Sequence, residues 1–258
     1  MPTFLFHDVI FGPVRSRRLG LSLGINLLPN DSKYCSFNCI YCECGWTLHK
    51  PGIIPELPSR IEVKTYLEQR LKEMADENYL PDALTYAGNG EPTLHPDFAG
   101  IVEDTIELRN KYAPAARITV LSNASRIHIP EVFDALMRLD NNIQKLDAGF
   151  LKYFERINQP VEPVRFEEMI DHLARFNEKV IIQSMFLKGT YRNELIDNTS
   201  PGEVEEWLKH IRRIRPSMVM VYSIDRATPL HNLEKISKLD LERIAALVEA
   251  SGIKAKVY

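Results

Sequence analysis

Cys35-Ser36-Phe37-Asn38-Cys39-Ile40-Tyr41-Cys42 places three cysteines within eight residues. One short loop of this spacing offers three thiolates to one metal centre. A structural site closed by protein takes four ligands, whereas three leave one coordination position free. A four-iron, four-sulfur cluster held this way keeps one iron open to a ligand from outside the chain. The four cysteines of the chain all fall between positions 35 and 44. Bridges would join distant segments of a small secreted domain, so this crowding reads as metal binding in a reducing compartment. The competing reading is zinc, with Cys39 and Cys42 as a C-x2-C pair completed by Cys44 and His49. That reading leaves Cys35 without a role. Cys44 beside Gly45 reads as a small packing residue.

Around this loop, apolar strand-like runs alternate with amphipathic helical runs, the pattern of a parallel α/β sheet. Strands are expected at Leu23–Leu28, Ala83–Ala87, Arg117–Leu121, Ile143–Ala148, Val180–Leu187 and Met218–Ile224. Helices are expected near 61–75, 97–111, from Pro130, 151–156, 165–176, 201–214 and 240–250, with a short closing strand over Lys254–Val257. Val63, Leu67, Leu71 and Met74 recur at helical spacing, and Pro130 and Pro201 suit first turns. Eight strand-helix units close a barrel of about 250 residues. Six in this length predict a partial (β/α)6 parallel barrel, open along one side. The predicted organisation is a single domain over 1–258, with an N-terminal extension over 1–22, a barrel core over 23–225, and a C-terminal helix and short strand over 226–258.

Right-handed crossovers put every strand's C-terminal end on one face. The cysteine loop, Gly88–Glu91, Ser122-Asn123, Lys145 with Asp147, and Asp225-Arg226 all fall there. Glycines 88 and 90 permit close approach of backbone to a ligand. Asn89 between them tolerates left-handed dihedrals better than most residues, and Glu91 reads as a brace for the loop. Ser122 and Asn123 also suit a turn and helix cap. Lys145 and Asp147 share parity, hence one face, as part of a site or as an ion pair in the barrel wall. Leu146 and Ala148 should point under the helices. Gln183 on the fifth strand is a candidate pocket residue, whereas Met185 and Phe186 read more readily as core. Arg15, Arg17, Arg18 and Arg226 suit either an anionic substrate or a solvated face.

With 258 residues, 45% hydrophobic, the chain is ample for one packed domain and short for two. Charged residues make up 26% and the net charge is −3, so no polyelectrolyte partner is called for. The first residues lack the charged and apolar regions of a secretion signal. No apolar run reaches the roughly 20 residues that span a bilayer. These features predict a cytoplasmic protein.

The cysteine spacing, followed by Gly88-Asn89-Gly90-Glu91-Pro92 after a predicted strand, resembles the radical S-adenosylmethionine (radical SAM) superfamily. Phe11 to Gly20, Cys42-Glu43-Cys44-Gly45-Trp46, Lys145-Leu146-Asp147-Ala148-Gly149 and Arg156-Ile157-Asn158-Gln159-Pro160 resemble its wyosine-synthase-like branch. The resemblance implies a [4Fe-4S] cluster on Cys35, Cys39 and Cys42. The cluster would reductively cleave S-adenosyl-L-methionine (SAM) to a 5′-deoxyadenosyl radical, which abstracts hydrogen from a substrate. It further implies that Tyr41 lies beside the adenine and that Gly88, Asn89, Gly90 and Glu91 receive the methionine amine. Ser122 and Asn123 would contact ribose or methionine, Lys145 the SAM carboxylate, Asp147 a ribose hydroxyl or the substrate, and Gln183 the adenine pocket. Flavodoxin or ferredoxin is the implied electron donor.

Wyosine-type synthases act on a tRNA guanine, but those relatives are longer and carry a second cysteine set. A small-molecule or peptide substrate is therefore expected ahead of nucleic acid, with glycyl-radical activation a further option. Outside this chemistry stand a zinc-stabilised binding module without catalysis and an iron-sulfur electron carrier that never binds SAM.

Overall fold

A computed structural model describes residues 4–47, 52–226 and 228–258. Among them the elements run β1 (Ile10–Ser16), β2 (Gly20–Ile25), α1 (Arg60–Asp76), β3 (Ala83–Tyr86), α2 (Phe98–Tyr112), β4 (Arg117–Ser122), α3 (Pro130–Met137), β5 (Asn141–Lys145), α4 (Leu151–Asn158), α5 (Phe166–Phe176), β6 (Val180–Tyr191), β7 (Glu194–Asp197), α6 (Pro201–Ile214), β8 (Met218–Ser223), β9 (Leu233–Lys235), α7 (Lys238–Glu249) and β10 (Ala255–Val257). The sheet order is β1-β2-β3-β4-β5-β6-β8-β10, with β7 and β9 paired to the far end of β6. From β2 to β10 every neighbouring pair on that path is parallel; β1 joins β2 antiparallel. The sheet does not close on itself, so the architecture is a partial α/β barrel, largely parallel and open.

The helices form where the sequence pattern places them. α1 opens on a reciprocal cap in which the Ser59 side chain accepts from Glu62 N and the Glu62 carboxylate accepts from Ser59 N. Its Val63, Leu67, Leu71 and Met74 are buried against the sheet. Trp207 of α6 is buried and donates its indole N–H to Leu146 O at 3.2 Å and Ser184 Oγ at 3.1 Å. That contact fixes the helix across the ends of β5 and β6. Inside the barrel, Ile143, Ile181 and Met220 form a separate apolar plug with Leu19, Leu121, Met218 and Tyr258 against it. The polar site sits above this plug, at the strands' C-terminal ends. Among the described residues no helix is long and apolar enough to cross a membrane.

Three details depart from the sequence pattern. β1 lies within the expected extension; Gly12, Pro13 and the arginines mask it. It forms because the Phe11 ring covers Gly24, where an added Cβ would come 2.1 Å from that ring. The fourth strand ends at Lys145, so Asp147 stands just beyond it. β7 and β9, both antiparallel to the far half of β6, add strands to those expected, whereas β10 is the expected closing strand and pairs in parallel with β8.

Gly149 meets α6 so closely that a Cβ there would lie 2.3 Å from Trp207 N. Its N–H and that of Phe150 donate to the buried Glu203 carboxylate. Burial raises the Glu203 pKa from 4.5 to about 7 in spite of those two donors. The native state then binds the proton more tightly than the unfolded chain. The contribution of Glu203 to stability is fullest at low pH and is lost as pH rises from about 4.5 to about 7. Chemical denaturation across that window should show the difference between wild type and Glu203→Gln changing with pH. A constant difference would contradict this account.

Candidate functional site

The cysteine loop is irregular in backbone yet pinned on two sides. On one, Tyr34 N donates to Asn89 O at 2.8 Å and Glu91 N to Tyr34 O at 3.1 Å. On the other, Asn38 N donates to Gln159 O, Ile40 N to Ile157 O, and Val161 N to Ser36 O, each at 2.9 Å. Phe37 and Ile40 are buried, and Phe37 meets Phe154 edge-to-face at 5.4 Å. These apolar anchors press one side of the loop into the core, and the cysteines take the positions between them.

Each of the expected cysteines has a distinct environment. Cys35 Sγ accepts from Phe37 N at 3.4 Å and from Asn123 Nδ2 at 3.5 Å. Burial pushes its thiol up to about 12. Cys39 Sγ accepts from Asn158 Nδ2 at 3.5 Å; burial raises this thiol while Lys145 and Lys33 oppose the rise. Cys42 is drawn down, first by a hydrogen bond from Cys44 and then, against burial, by Lys33. Cys44 also approaches the Gly88 carbonyl at 3.5 Å. Lys33 is 3% exposed and donates from Nζ to Gly45 O at 3.0 Å. Burial works to lower its pKa, but Cys42, Cys35 and Cys39 together hold it raised.

A buried ammonium beside three cysteines, with N–H donors aimed at two of the sulfurs, suits a group that carries negative thiolate charge. Among the described residues no three His, Cys, Asp or Glu side chains converge to hold a single metal ion. A polynuclear cluster bridges wider gaps with its own sulfides. His49, invoked by the zinc reading, lies outside the described residues.

The glycine run is shaped by close approach. Gly90 has φ +145°, and a Cβ there would lie 1.7 Å from Tyr34 O; a Cβ on Gly88 would lie 2.3 Å from Asn26 Oδ1. Gly90→Ala should therefore cost about 1–3 kcal/mol in backbone strain alone. It should also displace Tyr34 and, with it, Cys35. Thermal unfolding and iron uptake measured together should both fall, and wild-type values in both would refute the reading.

Asn89 does not take left-handed dihedrals. Its side chain instead accepts from Phe6 N at 2.9 Å and donates to Phe6 O at 2.8 Å and Pro29 O at 2.7 Å. That is a structural staple, which turns the side chain away from a ligand role. Glu91 braces the loop as expected: it accepts from Thr93 N at 3.0 Å and from Asn123 N at 2.6 Å. Asn123 also donates to Ser36 Oγ at 2.9 Å, and Ser122 Oγ accepts from Ala124 N at 3.2 Å. Both therefore shape the turn, and Asn123 additionally reaches the cysteine loop.

Lys145, Asp147, Tyr41 and Gln183 are brought together inside the barrel mouth. Asp147 is 1% exposed and accepts from the Tyr41 hydroxyl, from Asn158 Nδ2 at 2.7 Å and from Met185 N at 2.8 Å. Lys145 Nζ stands 3.8 Å from Asp147, 3.3 Å from Tyr222 Oη and 5.0 Å from the Tyr41 ring centre. Burial acts to lower the Lys145 pKa, yet Asp147, Tyr222 and Cys39 raise it overall. Tyr41 is raised by burial and by Asp147. Asp147 thus organises the site from within. Gln183 Nε2 donates to Tyr222 Oη at 2.7 Å. Leu146 and Ala148 are buried under the helices, and Phe186 packs on Trp207 at 5.2 Å.

A cavity of about 230 Å³ opens here, with Tyr41, Met185, Tyr222 and Arg18 in its wall. A larger cleft of about 910 Å³ runs between α1 and residues 7–10 and 28–32, and contains none of the cysteines or predicted site residues. Lys33 and Tyr222 escaped the sequence reading, and Asn158, quoted there within Arg156–Pro160, was given no role. The first had a visible signal, a lone lysine two positions before Cys35 in a loop otherwise poor in charge.

Comparison with known proteins bears on this geometry. The family model described as "Radical SAM superfamily" matches residues 30–198. A protein named GTPase Obg from Brachyspira hyodysenteriae is 29% identical over 94% of this chain and 34% of its own length. A UPF0026 protein from Helicobacter pylori is 29% identical over 93% of this chain and 74% of its own. The chain thus spans about a third of the first relative's length. Among solved structures, a radical SAM methyltransferase from Sphaerobacter thermophilus superposes with a TM-score of 0.66 at 14% identity, over 92% of this chain and 65% of that one. TYW1 with a lysine-pyruvate adduct bound gives 0.59 at 14% identity, over 89% and 73%. At such identities these structures share the fold.

Proposed function

The chain belongs to the radical SAM superfamily, and from that premise we propose that it is an enzyme whose Cys35, Cys39 and Cys42 hold a [4Fe-4S] cluster, with SAM bound beside it in the barrel mouth. When bound, the pair supplies one-electron reductive cleavage of the sulfonium and, through it, hydrogen-atom abstraction from a substrate. The observation that carries this reading is the three-cysteine loop at the C-terminal face, with donors to its sulfurs from Asn123 and Asn158. Lys33 offsets thiolate charge inside the protein. The Gly88–Glu91 backbone receives the SAM amino group, and Lys145 offers a cation to its carboxylate. Tyr41 is held by Asp147 so that its ring forms a fixed wall of the cavity.

The proposed reductant is flavodoxin or ferredoxin. The cavity volume favours a small molecule or the end of a peptide over a nucleic acid. The test is anaerobic reconstitution with iron and sulfide, followed by dithionite and SAM. The expected products are 5′-deoxyadenosine and methionine. Zinc in place of iron, or a reducible cluster that yields no 5′-deoxyadenosine, would refute the proposal.

A further inference from the structure

The structure separates the arginines at the barrel mouth. Arg17 is paired with Asp225 at 2.7 Å, and Arg226 with Glu43 at 2.8 Å. Arg18 takes no part in the ion pairs found among the described residues, and its Nη1 is enclosed without a hydrogen-bond partner. Its guanidinium lies 5.5 Å from the centre of the Tyr222 ring. That ring offsets part of the cost of enclosing the charge, but it satisfies none of the guanidinium donors. An enclosed cationic donor without an acceptor is expensive. Arg18 and Tyr222 both line the 230 Å³ cavity, and so does Tyr41, the residue directly before Cys42. Lys145 stands 3.3 Å from Tyr222 Oη, but like Arg17 and Arg226 it already has a carboxylate of its own, Asp147 at 3.8 Å.

The geometry points to Arg18 as the oxyanion-docking residue of the substrate site, so that the substrate is a small molecule bearing a carboxylate or a phosphate. A planar guanidinium fork matches either group with two parallel hydrogen bonds. Arg17 and Arg226 are already neutralised by their own carboxylates, which leaves the attraction concentrated on one side chain. This inference rests on the radical SAM reading of the site, since the cavity abuts the cysteine loop.

The test uses the reconstituted holoprotein as wild type, Arg18→Gln and Arg18→Lys. Inorganic phosphate and acetate are titrated separately by calorimetry. One of the two should saturate the wild type, with its dissociation constant raised roughly tenfold or more in Arg18→Gln and less in Arg18→Lys. Preference for phosphate assigns a phosphorylated substrate; preference for acetate assigns a carboxylic acid. Saturation by neither, or equal binding in Arg18→Gln, overturns the proposal. In parallel, SAM is titrated against the electron paramagnetic resonance signal of the reduced cluster. The SAM dissociation constant should be the same in Arg18→Gln and wild type. A matching loss there would place Arg18 on SAM's own carboxylate and likewise overturn the proposal. A wild-type signal insensitive to SAM is a different failure, that of the radical SAM reading, and the anion titrations then stand by themselves.

Discussion

Serine in place of any one of Cys35, Cys39 or Cys42 should bring 5′-deoxyadenosine formation to background, with iron content after reconstitution reduced to match. The three thiols come from a single loop whose backbone is committed on both sides, to residues 89–91 and to 157–161. The nearby Cys44 faces the Gly88 carbonyl. Among the described residues, the further thiol beside the loop is this Cys44, which also meets Cys42. Cys44→Ser is the control: it should retain iron and turnover. Asn158→Ala removes a donor to the Cys39 sulfur together with one to Asp147, and should weaken cluster retention by roughly 10–100-fold, the usual cost of losing an outer partner. If all four serine variants lose iron alike, the assignment of three ligands is wrong.

Asp147→Ala should be the most damaging single change to the stability of the apoprotein. It strips the acceptor from Tyr41, Asn158 and Met185 N, and leaves the Lys145 charge enclosed without its counter-ion. Breaking one side of a buried pair costs about 3–5 kcal/mol. Urea denaturation should show this as a lower midpoint. The double variant Lys145→Met, Asp147→Ala no longer strands a cation. It should therefore cost less than the sum of the single changes, by roughly 0.5–3 kcal/mol. Strict additivity would mean that Lys145 and Asp147 do not sense one another.

What was legible in the sequence was whatever depends on local spacing. The cysteine loop, the glycine run and the helical stripe Val63-Leu67-Leu71-Met74 each announce themselves within a few residues. The shared face of the strand ends was also legible, because the handedness of parallel crossovers admits one arrangement. β1 was not, because an edge strand with one neighbour does not need a clean apolar alternation, and Gly12, Pro13 and Arg15 hide it. The staple between Asn89 and Phe6 joins positions 83 apart in the chain, so no window reveals it. Asp147 was found as a polar residue of the right face. Its role as a hub depends on donors from positions 41, 158 and 185, which only the folded barrel brings together. Lys33 was passed over despite its place two positions before Cys35, because an isolated lysine is ordinarily solvated and its burial shows only in the fold.

The seam between the cysteine loop and residues 157–161 also imposes an order of events during synthesis. The ligand-bearing segment leaves the ribosome early, but Asn38, Ile40 and Ser36 find their backbone partners only when the turn after α4 has followed it. Until then the nascent loop has only its contacts to residues 89–91 to hold it. On the proposed function, iron and sulfide would be held in full only after that turn is made, and a chain stalled before it should retain them poorly.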